Sequence, residues 1–281
     1  MALALLFGVL AVLAIDYWRY YRRFVPVLLY HYFTDQVPTC EHEVSLEAFS
    51  SQLRMLRRLG FSVLPLENSL RQGSRTRRAI AITADDGDTS VFSKALPILE
   101  KLAIPLTAFV VVDYSDKGVF QSGEQHRTAA SWDEIRAWMS RYPGLEIGLH
   151  SWTHRPLPGC NDSELTREIA EAAVALKERV GRRPRLLAYP YGIWDSRVSA
   201  YARAAGYAAA CATTLGDARG RDAFLVEREP IHADTTTAQF LIKVLGVRSY
   251  VRNFPGVRQL RQRQWRRAAM LEEQRSPGAG A

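Results

Sequence analysis

From Val25 onward the chain repeats one unit, a short apolar run followed by a segment of helical spacing. That alternation restricts it to an α/β fold built on a mostly parallel sheet. The apolar runs are Val27–Tyr30, Ala79–Ala84, Leu106–Val112, Leu145–Leu149, Arg185–Ala188, Tyr207–Cys211 and Phe224–Val226. Between them, Leu46, Phe49, Leu53, Leu56 and Leu59 recur on one helix face, and Ser90–Leu102 forms a helix containing Pro97. Ser131 and Glu134 have capping-box spacing, Ser163–Val180 stops at Gly181, and Ser196–Ala205 completes the helices. About seven such repeats in 281 residues predict a barrel in one sizeable domain.

Polar residues follow the ends of these strands. His31, the pair Asp85–Asp86, Asp113, His150 and the stretch Tyr189–Pro190–Tyr191 each sit just past a predicted carboxyl end. In β/α barrels that is the face where active sites form. Successive residues at a strand end point in opposite directions, so Asp85 and Asp86 can serve two purposes, and Gly87 lets the chain turn at once. Asp-Asp-Gly is also an ordinary surface turn. His150 and His154 are four residues apart, so one turn brings both imidazoles to one face, and Pro156 and Pro158 stop any longer helix. With one carboxylate, two neutral imidazoles leave an open position, as a catalytic zinc requires. An isolated pair of this spacing is equally compatible with a structural role.

Taken together, Thr83–Gly87, His150-Ser151-Trp152-Thr153-His154 and Ala188-Tyr189-Pro190-Tyr191-Gly192 resemble three motifs of the polysaccharide deacetylases. This is the NodB-type domain, also called carbohydrate esterase family four. The opening Leu29-Tyr30-His31 resembles the branch that deacetylates poly-N-acetylglucosamine. The resemblance implies a distorted β/α barrel of about seven strands with a divalent metal on Asp86, His150 and His154, zinc first, with nickel or cobalt as alternatives. It implies Asp85 as general base, the Tyr191 backbone N–H as oxyanion donor, and a histidine, His31 ahead of His232, as the acid. The implied reaction is N-deacetylation of an N-acetylated sugar in a polysaccharide or lipid-linked saccharide. Two departures stand out. Ala84 replaces the usual phenylalanine, and Ala188 stands where many members carry an arginine that orients the base, which leaves a glycan-binding pseudoenzyme as an alternative. A deacylase of a small non-sugar amide would use the same site. His42 and His126 are assigned no role.

The two ends of the chain differ from this domain. Ala2–Ile15 is an apolar run of 14 residues followed by Tyr17, Trp18 and Arg19, Arg22 and Arg23. It is shorter than the roughly 20 residues that span a bilayer, and it lacks the basic start and small-residue exit of a cleaved signal. It reads as an uncleaved anchor over residues 1–24, ahead of a catalytic domain at 25–236. A basic helical tail at 237–281 then carries arginines from Arg248 to Arg267 and a frayed end. The net charge of +8 is concentrated in these two places, which points to an anionic surface as partner. The charge order across the first segment puts the domain on the cytoplasmic face of the cell inner membrane. No nucleic-acid motif is present, and the oligomeric state is not encoded in any pattern. Cys40, Cys160 and Cys211, odd in number, predict no disulfide framework.

Overall fold

The computed structural model describes residues 2–21, 25–72, 78–213, 222–254, 256–257 and 259–260, with side chains of the first helix described from residue 10. Eight parallel strands run in sequence order around a nearly closed barrel: β1 Val27–Tyr30, β2 Ala79–Ala84, β3 Leu106–Val110, β4 Leu145–Leu149, β5 Leu186–Ala188, β6 Ala209–Ala212, β7 Val226–Glu227 and β8 Glu229–Pro230. β8 pairs with β1, and only Arg228 separates β7 from β8, so the seam of the barrel lies at one residue. The expectation of about seven strands is corrected here. The last predicted run, Phe224–Val226, contributes only Val226 to β7, and a second two-residue strand, β8, follows beyond Arg228 and pairs with the opposite edge of the sheet. Ser62–Val63 adds a further short strand beside β2.

The barrel interior is small and apolar, with Val27, Ala81, Phe109, Leu186, Ala188, Cys211 and Val226 buried together. The larger cluster lies between the strands and the surrounding helices. α2 (Leu46–Arg58) buries Phe49, Leu53 and Leu56 and is capped by Ser45, whose hydroxyl accepts from Ala48 N. The predicted Ser90–Leu102 helix begins as a π-turn over Val91–Ala95 and continues as α3 (Leu96–Lys101), with Pro97 in the first turn, where no N–H is required. α4 (Trp132–Arg141) is capped by Ser131. The long predicted helix runs through a π-turn at Thr166–Glu171 into α5 (Ala172–Val180) and ends at Gly181 with φ 75°. α6 (Ser196–Ala204) follows β5.

The terminal segments pack on the body. α1 (Ala2–Tyr21) is a 20-residue helix, but among the described residues no helix is long and apolar enough to cross a membrane. The anchor reading is corrected to that extent. α7 (Thr237–Val244) buries Phe240 and Val244 fully, and α8 (Val247–Arg252) follows it. Arg22, Arg23 and residues 261–281, including Trp265 and Arg267, lie outside the described residues. The three cysteines are free.

Candidate active site

β2 ends at two buried carboxylates, Asp85 at 2% and Asp86 at 6% exposure. Asp86 has φ 68°, a left-handed conformation that separates its side chain from that of Asp85. Gly87 follows at φ 72°, where an added Cβ would press on Val110. Asp85 meets Arg228 in a bidentate pair, Nη1 to Oδ1 at 2.6 Å and Nη2 to Oδ2 at 2.7 Å, with both side chains almost fully buried. Asp86 divides its oxygens. Oδ2 accepts from the Tyr32 hydroxyl at 2.6 Å, and Oδ1 lies 3.7 Å from His150 Nε2 and 3.4 Å from His154 Nε2.

β4 delivers His150, whose Nδ1 is 2.8 Å from the Ala188 carbonyl. A carbonyl only accepts, so Nδ1 carries the proton and the Nε2 lone pair faces Asp86. Between the histidines the chain is held by Glu168. Its buried carboxylate accepts from Trp152 N and Thr153 N at 2.9 Å each and from the Thr153 hydroxyl at 2.6 Å. His154 N donates to Ser151 Oγ at 2.9 Å. Ser151 and His154 both have positive φ, 67° and 62°. With Asp86 and Tyr191, four of the six non-glycine residues in this conformation among the described residues lie at the site, a concentration of backbone strain that surrounding contacts must hold in place.

One donor atom from each of Asp86, His150 and His154 falls within 4.8 Å of the other two. A carboxylate oxygen and two imidazole nitrogens match the donor chemistry of zinc, and the ordered Nδ1 of His150 leaves its other nitrogen available, so these residues fit a divalent ion. Burial brings His154 down to about 4 against the pull of Asp86, which keeps its ring neutral near pH 7. Burial pushes the Asp85 carboxyl up, but Arg228, His150 and His31 outweigh it and bring it down to about 2. Asp86 is also lowered, because His154, His31, His150 and the Tyr32 hydroxyl outweigh its burial.

His31 follows β1, and its Nδ1 is enclosed without a hydrogen-bond partner among the described residues. Burial brings it down to about 4, opposed by the nearby charges of Asp86 and Asp85. Its ring lies 4.7 Å from that of His42, which lies 5.5 Å from His232. His232 stands farther out and is only half-buried, with its Nδ1 3.0 Å from Glu41 Oε1. Asp113, though near a strand end, pairs with Lys117 on the surface and takes no part. Tyr191 occupies the turn Pro190–Gly192 at φ 58° and is 58% exposed, with its ring 4.7 Å from the His154 ring. A Cβ on Gly192 would collide with Thr213, so only glycine closes this turn. The cleft above Asp86 and His154 measures about 510 Å³ and is bounded by Tyr191, Tyr114 and the hairpin Val119–Ser122/Gln125–Thr128. Ser122 and Arg127 join that hairpin to Tyr32, the first by a 2.9 Å hydrogen bond and the second over the ring at 3.9 Å.

Motif reading overlooked four of these residues: Arg228, Tyr32, Glu168 and Arg127. For Arg228 a signal was present. Strand alternation puts Val226 and residue 228 on the inner face, and an arginine directed into a barrel needs a carboxylate there. Ala188 lies on that same inner face, in register with Cys211, which is in register with Val226. The arginine absent from β5 is thus supplied from the seam. The other three lie in segments without a motif.

A family model described as polysaccharide deacetylase matches residues 72–210. A poly-beta-1,6-N-acetyl-D-glucosamine N-deacetylase of Staphylococcus aureus is 22% identical over 190 residues, which cover 65% of this chain and 65% of that protein. The chain thus matches about 65% of the length of such curated relatives. Among solved structures, IcaB from Ammonifex degensii superposes with a TM-score of 0.67 at 26% identity, covering 79% of this chain and 97% of that one. A polysaccharide deacetylase from Bacillus cereus gives 0.66 at 25% identity, covering 79% and 69%. The eight-stranded barrel is consistent with these matches, and residues 72–210 lie in a polysaccharide deacetylase domain.

Proposed function

We propose that this protein is a metal-dependent N-deacetylase acting on an N-acetylated sugar, in a polysaccharide or a lipid-linked saccharide. The observation that carries the reading is the pairing of a three-donor cluster, Asp86, His150 and His154, with a buried ionised Asp85 beside it. A divalent ion on those donors, zinc by donor chemistry and nickel or cobalt as alternatives, supplies Lewis acidity toward the amide carbonyl and makes water a better nucleophile. Asp85 takes the proton from the attacking water, and Arg228 fixes its two oxygens so that only one arrangement is presented. Tyr191, beside His154, offers its backbone N–H to the developing oxyanion, a position its left-handed turn sets. His31, neutral in the resting site, acts as the acid by passing to the leaving amine the proton that Asp85 took from water. It is favoured over His232 because it lies within the field of both aspartates, whereas His232 is turned toward Glu41. The polar, aromatic-edged cleft suits a sugar ring. With Arg228 on Asp85, Ala188 no longer argues for a pseudoenzyme.

Acetate release from N-acetylglucosamine oligomers by the purified protein, with and without chelator, tests the reading. Release that chelator abolishes and zinc restores is expected. No release from any acetylated glycan, with release from a small non-sugar amide, would overturn the substrate class.

For location we propose attachment to a membrane surface on the cytoplasmic side. Support comes from α1, which exposes Leu10, Val12, Leu13, Ile15 and Trp18 while resting on the C-terminal helices. A reporter fused after Ala281 that works only in the periplasm would reverse the orientation if active.

A further inference from the structure

The carboxylates flanking Arg228 are buried, Glu227 at 5% and Glu229 at 1% exposure. Alternation sends them outward while Arg228 points into the barrel. Buried carboxylates require partners, and α8 brings them to both sides of the seam. The Ser249 hydroxyl donates to Glu229 Oε1 at 2.5 Å, and Arg248 Nη1 donates to Oε2 at 3.1 Å. Arg252 Nη1 lies 3.4 Å from Glu227 Oε1, and Asn253 Nδ2 donates to Oε2 at 3.2 Å. Arg252 Nη2 also donates to the Thr213 carbonyl at 3.2 Å, just past β6. The strands these contacts brace are only two residues long and do not pair with each other. Their backbone has few ladder bonds to fix it, among them Arg228 N to Ala212 O at 3.0 Å and Ile231 N to Leu29 O at 2.8 Å.

We infer that α8 is a clamp on the barrel seam that positions Arg228 and, through it, the carboxylate of Asp85. Ser249, Arg252 and their neighbours are positioning residues, since none touches the cleft. α1 backs the clamp. The Tyr17 hydroxyl donates to the Leu245 carbonyl at 2.7 Å, the Tyr250 hydroxyl donates to Asp16 at 2.9 Å, and the Tyr250 ring packs on Tyr17 and Tyr20 at 5.3 Å each. The C-terminal helix is therefore part of the catalytic apparatus rather than an appendage. Loss of the contacts on Glu227 and Glu229 lets the 226–230 backbone shift, and a displacement of about 1 Å at a catalytic group can cost on the order of 100-fold in rate.

The kinetic arm of the test rests on the deacetylase reading; a second arm does not. In the full chain, Ser249→Ala with Arg252→Ala is expected to lower kcat by about 10- to 100-fold with KM and zinc content unchanged. Arg252→Lys, which keeps the charge, is expected to recover part of that loss. In an Arg228→Lys background the same pair should cost nothing further, because residues acting through one partner are non-additive. Full kcat in the double variant, or additive losses in the Arg228→Lys background, would overturn the clamp. Hydrogen exchange of the 226–232 segment, measured without substrate, should quicken in the double variant and in the milder Ser249→Ala alone. Unchanged exchange there also refutes it. A wild-type protein that releases no acetate counts against the proposed activity, and the exchange measurement still decides the clamp.

Discussion

Replacing Arg228 with methionine is the most informative single perturbation, because it removes the charge and keeps most of the volume. In the wild type the guanidinium holds both oxygens of Asp85 in an environment almost closed to water. Burial alone would raise the Asp85 carboxyl, yet it is held from its ordinary 3.8 down to about 2. At about 1.4 kcal/mol per unit, that shift corresponds to roughly 2 kcal/mol of folded-state preference for the ionised form. This contribution is present above pH 3.8 and disappears as pH falls through about 2. Removing the cation does more than cancel it, because an unpaired buried charge remains, and breaking such pairs costs about 3–5 kcal/mol. Urea unfolding of the metal-free protein at pH 7 should therefore show Arg228→Met destabilised by about that amount. Adding Asp85→Asn should recover most of the loss, since the uncompensated charge goes with it. If the two substitutions were simply additive, or if Arg228→Met cost under about 1 kcal/mol, the pair would not be the buried charge balance described.

Metal content should separate the two aspartates: Asp86→Asn, His150→Ala and His154→Ala each lower the zinc retained after dialysis. Asp85→Asn should keep the ion and lose about 100- to 10,000-fold in acetate release. Acidification provides a third check. His154 and His31 are held near 4 against an ordinary 6.5, so the unfolded chain takes up protons first and stability falls as pH drops from about 6.5 toward 4. A flat unfolding midpoint across that range, with chelator present, would contradict the burial assigned to both rings. Finally, Glu168→Ala leaves Trp152 N, Thr153 N and the Thr153 hydroxyl without their acceptor. It should weaken zinc binding though it never touches the ion, about 10- to 100-fold if it behaves as outer-shell partners generally do.

Much of the barrel was readable because apolar runs and helical spacing are local. Ala79–Ala84 and Leu145–Leu149 appear as strands over the predicted residues, and the Ser131 and Gly181 signals fall at real helix ends. The seam was not readable. Two-residue strands carry no periodicity, and a single arginine between two glutamates looks like a solvated turn until both edges of the sheet are known. Nor did charge count reveal the role of the C-terminal segment. Arg248 and Arg252, grouped in the sequence with arginines awaiting an anionic surface, spend their charge on Glu229 and Glu227. A positive cluster in sequence becomes two internal ion pairs once the fold brings the acids underneath.

The site divides along the same line. His150 directly follows β4, His154 lies in the turn just beyond it and Asp86 lies two residues past the end of β2, so neighbouring strand ends bring the three donors together, and motif spacing pointed to the same three residues. The residues that hold them in place arrive from elsewhere: Tyr32 from the segment after β1, Glu168 from a π-turn, Arg228 from the seam. Each makes contacts across long separations in sequence, for which no local pattern exists. Their necessity is nevertheless physical. Asp86, Ser151, His154 and Tyr191 are all held in left-handed conformations that cost roughly 1–3 kcal/mol apiece. The Glu168 carboxylate, the Ser151 hydroxyl and the tight Gly192–Thr213 approach are the contacts that keep these turns closed. A chain holding the histidines and aspartates without that frame would relax its turns and disperse the donors, so the strained backbone and its supports form one unit with the donor side chains.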